Sequence, residues 1–556
     1  MSSVASVSPN VPGASCDPSR PSRPAPSARR LRAARCLLAA LGLLAGLGVG
    51  CASRSRGREA QLSAAAMLAK ARGTTVFGPA AEFTGSSLPD VGTSGLFPAR
   101  TAAECQVSML TGGEDSFAVR MDLLKSATHS IRIQALIYTA DESGLRVAEI
   151  LKQKKQQGLD VRVIVDGLSN PSLQTQWMYF DLKQHGVEVE GYEAIGLQWL
   201  NEVPVPLQSP HYDPLLPNKR YHEKLWITDA GTPQAQAVTG GLNIANEYFR
   251  VDPANVPRYW RDQDVLVRGR VLDDLTTSFE RNWQHFKSIK RERGNLTDAA
   301  WESTRALLAR TGKPQIPYTT RADLTATVAR LEARAVPRQF EPARCRFFQS
   351  RPRLRESYIQ QAYLKLLASA RREVLLANAY FVPTAVTAMA IKEAAHRCVR
   401  VVILANSAET NDTPGITVLG RSYYADLLSV NESAEARACQ RAGTPGGVEI
   451  WEWMGKRQHD PKPSQGLLHA KFVVVDRVLS LVGSHNLDPR SERLNSESAL
   501  VYENAALAET LARTFLEQDL ASSRRISAAE AATFEKPDKA YQRFKKDLAG
   551  MFEEHL

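Results

Sequence analysis

Two stretches decide the fold: RYHEKLWITD at residues 220–229 and LLHAKFVVVD at residues 467–476. Each contains a histidine, a lysine two positions later and an aspartate five positions after the lysine. Apolar residues dominate both stretches after the lysine, which is typical of a buried β-strand. Side chains two positions apart in a strand share a face, so each stretch is predicted to present an imidazole and an ammonium together. The residues concerned are His222, Lys224 and Asp229 in the first stretch, and His469, Lys471 and Asp476 in the second.

The segments upstream of these stretches repeat one another. Periodicities of helix, strand, helix and strand follow in order in FAVRMDLLKSATHS (117–130), SIRIQALIYT (130–139), GLRVAEILKQKKQQG (144–158) and LDVRVIVDG (159–167). The same order returns in RESYIQQAYLKLLASARRE (355–373), EVLLANAYFVP (373–383), AVTAMAIKEAAHRC (385–398) and VRVVILANS (399–407). Alternating strands and helices favour sheets covered on both faces. The sequence therefore predicts an α/β protein with two duplicated α/β/α layered domains.

The duplicated patterns and the local composition give the expected bounds of these domains. The duplicated patterns predict a first domain at 101–290 and a second at 341–530, with a linker or helical insert at 291–340 and a tail at 531–556. Residues 51–100 are rich in Ser, Gly, Ala and Pro and show little periodicity, which favours a tether followed by an irregular segment.

The first fifty residues have the pattern of a targeting sequence. An arginine cluster precedes the apolar run CLLAALGLLAGLGVG at 36–50, which is too short to span a bilayer comfortably. Residues 1–50 are therefore predicted to be a signal peptide. Cys51 follows small residues, as in the lipobox of bacterial lipoproteins, which implies lipid attachment at Cys51. Gly48 stands where such sequences usually have leucine, so an uncleaved anchor and an ordinary signal peptide remain alternatives.

Charge and cysteine content narrow the class of protein. Residues 1–50 hold six arginines and one aspartate, so about +6 of the net charge of +11 remains for the rest of the chain. That surplus suits anionic partners such as phospholipid headgroups or nucleic acid, but on a chain of this length it is more often an ordinary soluble surface. Hydrophobic and charged fractions of 43% and 23% disfavour disorder and a multi-span membrane protein. The cysteines beyond residue 51 have no metal-binding spacing, so no zinc or other metal site is predicted and their pairing stays open.

The paired motifs contain the groups that phosphodiester transfer needs. One neutral imidazole can attack phosphorus while the other, protonated, donates to the departing oxygen. Each motif is followed by glycine and asparagine, which permit close backbone approach and supply donors for phosphate oxygens. Carboxylates downstream in both halves are candidates to orient the imidazoles. The expected phosphate-binding residues are Gly241, Asn243, Ser484 and Asn486, beside the two lysines, and the orienting candidates are Asp262 and Glu497.

The pattern HxKxxxxD followed by GxxN, present twice, resembles the phospholipase D superfamily. Flanking stretches such as ANAYFVPT, ILANSAETND, GVEIWEW and GSHNLDPRSERLNSE are most similar to bacterial cardiolipin synthases of the lipoprotein-like C type. The resemblance implies two phospholipase D-type domains packed about a pseudo-two-fold axis, and motif aspartates that act mainly as structural anchors. Two departures stand out: the first motif has a longer gap before Gly240, and Gly241 replaces the serine that Ser484 supplies in the second.

The resemblance also implies a function. We expect a phosphatidyl transferase that makes cardiolipin through a covalent phosphohistidine intermediate, with no cofactor and with anionic and zwitterionic phospholipids of a membrane surface as partners. A hydrolytic phospholipase D, a superfamily nuclease and a lipid-binding scaffold are the alternatives, and a nucleic-acid partner is disfavoured by the synthase-like stretches. The implied location is the bacterial cell envelope, with the exported chain anchored through Cys51.

Overall fold

The structure is a computed structural model, and it describes residues 64–83, 95–167, 169–191, 220–252, 259–293, 296–312, 315–354, 356–444, 446–457, 460 and 466–535. The chain divides into one unit at residues 1–60, none of which is described, and a second at residues 61–556, to which everything below applies. The predicted signal peptide, Cys51 and most of the predicted tail lie outside the described residues.

The first half is built on an eight-stranded sheet. Its strands are β1 (Gln106–Leu110), β2 (Ser130–Ala135), β3 (Asp160–Val165), β4 (Glu188–Glu190), β5 (Leu225–Thr228), β6 (Gln236–Gly240), β7 (Asp264–Arg268) and β8 (Glu341–Pro342). They lie in the order β4-β3-β2-β5-β6-β7-β1-β8. The neighbours β2, β3 and β4 run parallel, and every other pair is antiparallel.

The first half and the linker also contain helices, which are numbered here along the chain. They are α1 (Gly113–Ser126), α2 (Glu142–Gln156), α3 (Leu173–Gln184), α4 (Asn246–Phe249), α5 (Val271–Arg293), α6 (Leu296–Arg310) and α7 (Ala322–Glu332). Side chains satisfy the free amides where several of them begin: Asp141 accepts from Gly144 N at the start of α2, and Ser172 accepts from Thr175 N at the start of α3. Helices α6 and α7 lie within residues 291–340, the stretch predicted to be a linker or helical insert.

The second half repeats this plan. Its strands are β9 (Arg344–Ser350), β10 (Glu373–Asn378), β11 (Arg400–Asn406), β12 (Gly447–Trp453), β13 (Lys471–Val475), β14 (Leu479–Gly483), β15 (Glu497–Glu503) and β16 (Ser523–Arg525). Its helices are α8 (Tyr358–Ser369), α9 (Ala385–His396), α10 (Pro414–Arg421), α11 (Tyr424–Ser429), α12 (Ala434–Arg441), α13 (Pro489–Arg493), α14 (Ala505–Arg513) and α15 (Ala528–Glu535). The sheet order β16-β12-β11-β10-β13-β14-β15-β9 matches the first sheet strand for strand, except that each sheet gains one strand, β8 or β16, at opposite edges.

Alternating apolar side chains give the halves a layered packing. In β5, Leu225 and Ile227 join a core that also contains Phe472 and Val474 of β13, so the inner faces of the two sheets share one core. The intervening Trp226 belongs instead to the core under α1 and α2. Helices α5 and α14 contribute to the shared core, so each sheet has helices on both faces. The predicted duplicated α/β/α architecture is confirmed.

Two disulfides and one packed segment connect distant parts of the chain. Disulfides join Cys105 to Cys345, which links the first half to β9 of the second, and Cys398 to Cys439. Residues 64–83, expected to be tether or irregular chain, include a helical stretch at 64–71 and pack against the outer core of the second half. None of the described helices combines the length and the apolar character that crossing a bilayer requires.

Candidate active site

The two His-x-Lys segments are extended stretches of chain that pair with the opposite half. The amide of His222 donates to Ser496 O at 2.8 Å, and the amide of His469 donates to Arg261 O at 2.7 Å. Strands β5 and β13 begin only after these histidines, so the expectation that the strands would carry them is wrong. The reason is that each histidine finds its backbone partner in the other half and not in its own sheet. The reciprocal contacts agree with the predicted two-fold arrangement.

Carboxylates from the opposite half orient both imidazoles. His222 Nδ1 lies 2.8 Å from Glu497 Oε2, and His469 Nδ1 lies 2.6 Å from Asp262 Oδ2. The structure therefore brings together all four side chains in crossed pairs, with each histidine bonded to the half that does not contain it. Hydrogen bonding at Nδ1 fixes the tautomer that leaves the Nε2 lone pair available for chemistry.

Burial lowers the pKa of both imidazoles and so favours their neutral forms. Burial, with a contribution from Lys224, lowers the pKa of His222 to about 4 although the neighbouring carboxylate opposes the shift. Burial and then the charges of Lys471 and Lys224 hold the pKa of His469 well below its usual range. Burial alone would raise the pKa of Glu497, but its interactions with His222 lower it to about 2. At neutral pH the site thus holds two neutral imidazoles beside an ionised carboxylate.

The two carboxylates are held differently. Glu497 accepts hydrogen bonds from Ser484 Oγ at 2.5 Å, Ser491 Oγ at 2.9 Å and Asn495 Nδ2 at 3.4 Å. Asp262 accepts from the amide of Gln263 at 2.8 Å, and burial raises its pKa even though Lys471 opposes the shift. Ser491 and Asn495 were missed by sequence reasoning, although both lie in the quoted stretch around 483–497.

Gly241 provides the room that Asp262 occupies. A Cβ atom built on Gly241 would lie 2.0 Å from Asp262 Oδ1 and 2.6 Å from its Cγ. The equivalent Ser484 has its hydroxyl against the longer side chain of Glu497. The first motif therefore differs from the second in two matched positions. Glycine is combined with the shorter aspartate in the first half, and serine is combined with the longer glutamate in the second.

Both motif lysines are buried and bonded to their own histidines. Lys224 Nζ donates to His222 O at 2.5 Å, and Lys471 Nζ donates to His469 O. Burial lowers the pKa of Lys224 to about 7, with the charge of Lys471 adding to the shift, and burial lowers the pKa of Lys471 to about 8. Burial is the largest cause of both shifts, so a phosphate oxygen in contact with these groups would favour their charged forms.

The asparagines that follow the motifs are not equivalent. Asn243 Oδ1 accepts from the amide of Ile137 at 3.1 Å, and its Nδ2 donates to the hydroxyl of Tyr248 at 2.8 Å. Asn486 Oδ1 is buried with no hydrogen-bond partner among the described residues. Of the two asparagines predicted to bind phosphate, Asn243 thus has its side-chain oxygen and nitrogen both hydrogen-bonded within the protein.

Aromatic rings surround His469, and sequence reasoning missed them. The ring centroids of Tyr248 and Trp260 each lie 5.3 Å from that of His469. The stretch YWRD, which ends at the orienting Asp262, contains Trp260 and could have drawn attention to it. These rings pack around the imidazole and contribute to the burial of His469.

The motif aspartates lie at the far ends of β5 and β13. The carboxylate of Asp229 accepts from the backbone amides of Thr128, His129 and Ser130. That of Asp476 accepts from the amides of residues 371–373 in the same manner. Both aspartates sit in turns with left-handed φ values, 55° and 51°. This geometry favours the anchoring role that the family resemblance implies over contact with a substrate.

Comparisons with known proteins show the family of this chain. A family model described as cardiolipin synthase, PLD-like domain, matches residues 121–283 and 363–520. The cardiolipin synthase of Halalkalibacterium halodurans is 27% identical over 411 residues, covering 74% of this chain and 64% of that protein. The cardiolipin synthase of Geobacillus thermodenitrificans is 27% identical over 399 residues, covering 71% and 63%. The match spans a little less than two thirds of these relatives.

One solved structure supports the fold. The phosphatidylserine synthase of Haemophilus influenzae superposes with a TM-score of 0.53 at 16% identity, over 83% of this chain and 97% of that one. Among the described residues no group of three or more His, Cys, Asp or Glu side chains is arranged to hold a metal ion.

Proposed function

Because this chain belongs to the family of cardiolipin synthase, PLD-like domains, we propose that it transfers a phosphatidyl group from one phospholipid to the headgroup alcohol of phosphatidylglycerol, making cardiolipin. The observation that carries the proposal is the crossed pairing of His222 with Glu497 and of His469 with Asp262. Two oriented imidazoles in one buried site are what an attacking base and a leaving-group acid require.

The reaction proceeds in two steps. In the first, Nε2 of one neutral imidazole attacks phosphorus, an N–P bond forms, and the P–O bond to the donor headgroup breaks. The other imidazole, protonated once the anionic substrate is bound, gives its proton to the departing alkoxide. In the second step that imidazole takes a proton from the acceptor hydroxyl, whose oxygen displaces the first imidazole from phosphorus. The enzyme returns to its starting state with no net proton change.

Buried positive charge is the largest contribution expected from the protein. In this proposal Lys224 and Lys471 contact the transferred phosphate, where a desolvated ammonium would stabilise developing negative charge far better than it would in water. Ser484 acts through Glu497, and Asn486, whose Oδ1 lacks a partner, has an amide that can turn toward a phosphate oxygen. Gly241 acts through Asp262, whose position depends on it.

The proposed setting is the bacterial cell envelope. Two disulfides fit an oxidising compartment, where thiols outside the cytoplasm pair stably. With Cys51 acylated, the chain would be held at a membrane surface within reach of anionic and zwitterionic phospholipids. Globomycin-sensitive processing and loss of labelled fatty acid in Cys51→Ala would test the anchor separately from the chemistry.

Product analysis tests the reaction. The purified full-length chain in detergent is incubated with labelled phosphatidylglycerol, with and without phosphatidylethanolamine. Cardiolipin is the expected product, whereas phosphatidic acid alone would replace the proposal with a hydrolase. Lipid left unchanged would reject it in favour of a nuclease or a lipid-binding scaffold.

Variants test whether one site holds both histidines. His222→Ala and His469→Ala should each abolish turnover with little change in melting temperature, because both roles are needed in every cycle. His396→Ala, on the exposed end of α9, is the matched control and should be fully active. Enzyme denatured at alkaline pH should carry an acid-labile labelled phosphatidyl group in only one of the two alanine variants. Normal turnover in either variant would contradict the shared site.

A further inference from the structure

The residue directly before the orienting Asp262 is bonded to the second motif through its backbone. The amide of Arg261 donates to Leu467 O at 2.9 Å. The carbonyl of Arg261 accepts from the amides of His469 and Ala470 at 2.7 and 3.1 Å. Since Arg261 also adjoins Asp262, the carboxylate and the imidazole of this pair both depend on where the backbone of Arg261 is held.

The side chain of Arg261 forms a buried ion pair with the second half. Its Nε donates to Asp519 Oδ1 at 2.8 Å, and its Nη2 donates to Asp519 Oδ2 at 3.0 Å. Two parallel hydrogen bonds of this kind give an arginine–carboxylate pair a defined geometry. Both side chains are 4% exposed or less. The remaining nitrogen, Nη1, donates to the carbonyl of Asp262, so the guanidinium holds the backbone at 261–262 to the second half.

Asp519 lies on a turn that is itself fixed in the second half. Helix α14 continues as a π-helix over Thr514–Asp519, a rare conformation that is frequently found at functional sites. Phe515 and Leu520 on this turn belong to the core that the two sheets share. Strand β16, which follows, pairs with β12. The carboxylate of Asp519 is therefore a well-supported partner for Arg261.

The equivalent position in the other half has no arginine. The amide of His222 donates to Ser496 O, as the amide of His469 donates to Arg261 O, so Ser496 and Arg261 correspond. The neighbouring bridges, Tyr221 with Ser496 and Arg261 with Leu468, agree with this correspondence. A serine hydroxyl carries no charge and cannot form a two-bond ion pair. The ion pair is thus a feature of the His469 end of the site.

The two orienting carboxylates therefore have different supports. Glu497 accepts from the hydroxyls of Ser484 and Ser491. Asp262 stands opposite Gly241, which has no hydroxyl to donate. Its own chain is held instead by the ion pair of the preceding arginine, which bonds to the carbonyl of Asp262.

We propose that Arg261 and Asp519 are positioning residues for His469. Their ion pair fixes the chain on which both Asp262 and the second imidazole depend, and it replaces the hydroxyl that supports the carboxylate at the other end of the site. Neither residue contacts the substrate. The inference goes beyond the proposed function and rests on it only for the reaction that measures turnover.

An apolar replacement separates positioning from stability. Arg261→Met/Asp519→Leu removes both charges together, so no unpaired charge is left inside the protein, and such replacements often leave stability unchanged or higher. The matched control is Arg100→Met/Asp274→Leu. It removes another largely buried two-bond ion pair, with contacts of 2.8 and 2.6 Å, that connects Arg100 to helix α5. Thermal unfolding shows that each variant is folded.

Turnover is measured as consumption of labelled phosphatidylglycerol. The kcat of Arg261→Met/Asp519→Leu should fall by about 10–100-fold, a part of the 10²–10⁴ that a well-placed acid–base group contributes. KM should stay within about twofold, because neither residue touches the lipid. Arg261→Lys, which keeps the charge but not the two-bond geometry, should be slowed less than the double variant. The control pair should stay within about twofold of the unaltered protein in both constants.

Nitrogen-15 NMR of labelled histidine rings reads the same positioning without turnover. In the unaltered protein the His469 ring should be protonated at Nδ1, toward Asp262, and its signals are assigned by their loss in His469→Ala. In Arg261→Met/Asp519→Leu the two nitrogen shifts of His469 should move toward each other, as the tautomers mix. The shifts of His222 should remain unchanged, and the control pair should alter neither ring.

Three results are decisive. Normal kcat with unchanged His469 shifts in the folded double variant would overturn the inference. An equal fall of kcat in the control pair would also overturn it, since the effect would then come from general loss of packing. An unaltered protein that consumes no phosphatidylglycerol would reject the proposed function, while the histidine shifts would still decide whether the ion pair positions His469.

Discussion

Adding a single methyl group at Gly241 should disable the second histidine. In Gly241→Ala the new Cβ would lie 2.0 Å from Asp262 Oδ1 and 2.7 Å from Oδ2, well inside contact distance. The aspartate must swing away, and it then loses the 2.6 Å contact with His469 Nδ1. Overpacking of this kind costs about 1–3 kcal/mol of stability, and loss of an oriented acid–base group costs about 10²–10⁴ in rate.

The second half supplies the compensating change. There, serine stands at the equivalent position and the carboxylate is one methylene longer. Gly241→Ser should therefore be as inactive as the alanine variant, and combining it with Asp262→Glu should recover activity by about tenfold or more over Gly241→Ser. Asp262→Glu alone should be impaired, because beside Gly241 the longer side chain lacks the hydroxyl donor that Ser484 supplies to Glu497. Turnover is followed with labelled phosphatidylglycerol, and melting temperature shows how much protein is folded.

Two results would refute this reasoning. Near-normal turnover in Gly241→Ala would mean that the position of Asp262 does not control the imidazole. A double variant no better than Gly241→Ser alone would mean that the glycine–aspartate and serine–glutamate pairs are not alternative solutions to one packing requirement.

Three other expectations concern stability. Burial lowers the pKa of His485 to about 4, so as pH falls below 6.5 only the unfolded chain takes up a proton there. The free energy of unfolding should therefore drop by about 3 kcal/mol toward pH 4. Thermal unfolding of His485→Leu should lose that part of the pH dependence. Replacing Cys105 and Cys345 by serine removes a crosslink across 240 residues, which should lower the unfolding free energy by up to about 5 kcal/mol; equal melting temperatures with and without reductant would contradict this. Asp229→Ala leaves three backbone amides without their acceptor and should cost about 2–3 kcal/mol in denaturant titrations, while turnover per folded molecule stays close to normal.

The parts of the structure that sequence predicts well are local or repeated. The strand and helix periods of 130–165 and 373–406 were visible because each element buries one regular set of apolar residues, and the duplication made each half a check on the other. The identities of the orienting carboxylates, Asp262 and Glu497, were also predicted. Their crossed assignment was not, since nothing in a linear sequence states which half will face which histidine.

Other features depended on tertiary contacts and escaped prediction. The disulfide pairing needed distances between residues that are far apart along the chain, such as Cys105 and Cys345. The beginning of β5 depended on Ser496, a backbone partner in the other half. The match between Gly241 and Asp262 appeared in the sequence only as a missing serine, and its meaning required the shape of the space between them.

The pairing of each histidine with a carboxylate from the other half also has a consequence for the synthesis of the protein. While the ribosome is still translating the linker, His222 has already been made but Glu497 does not yet exist, and the imidazole has nothing to fix its tautomer. The growing polypeptide would therefore not react with lipid until most of the second domain, including Glu497, has been synthesised. Under the proposed function, premature fragments released during translation would be harmless to the bilayer, and two separately produced halves would become active only on mixing.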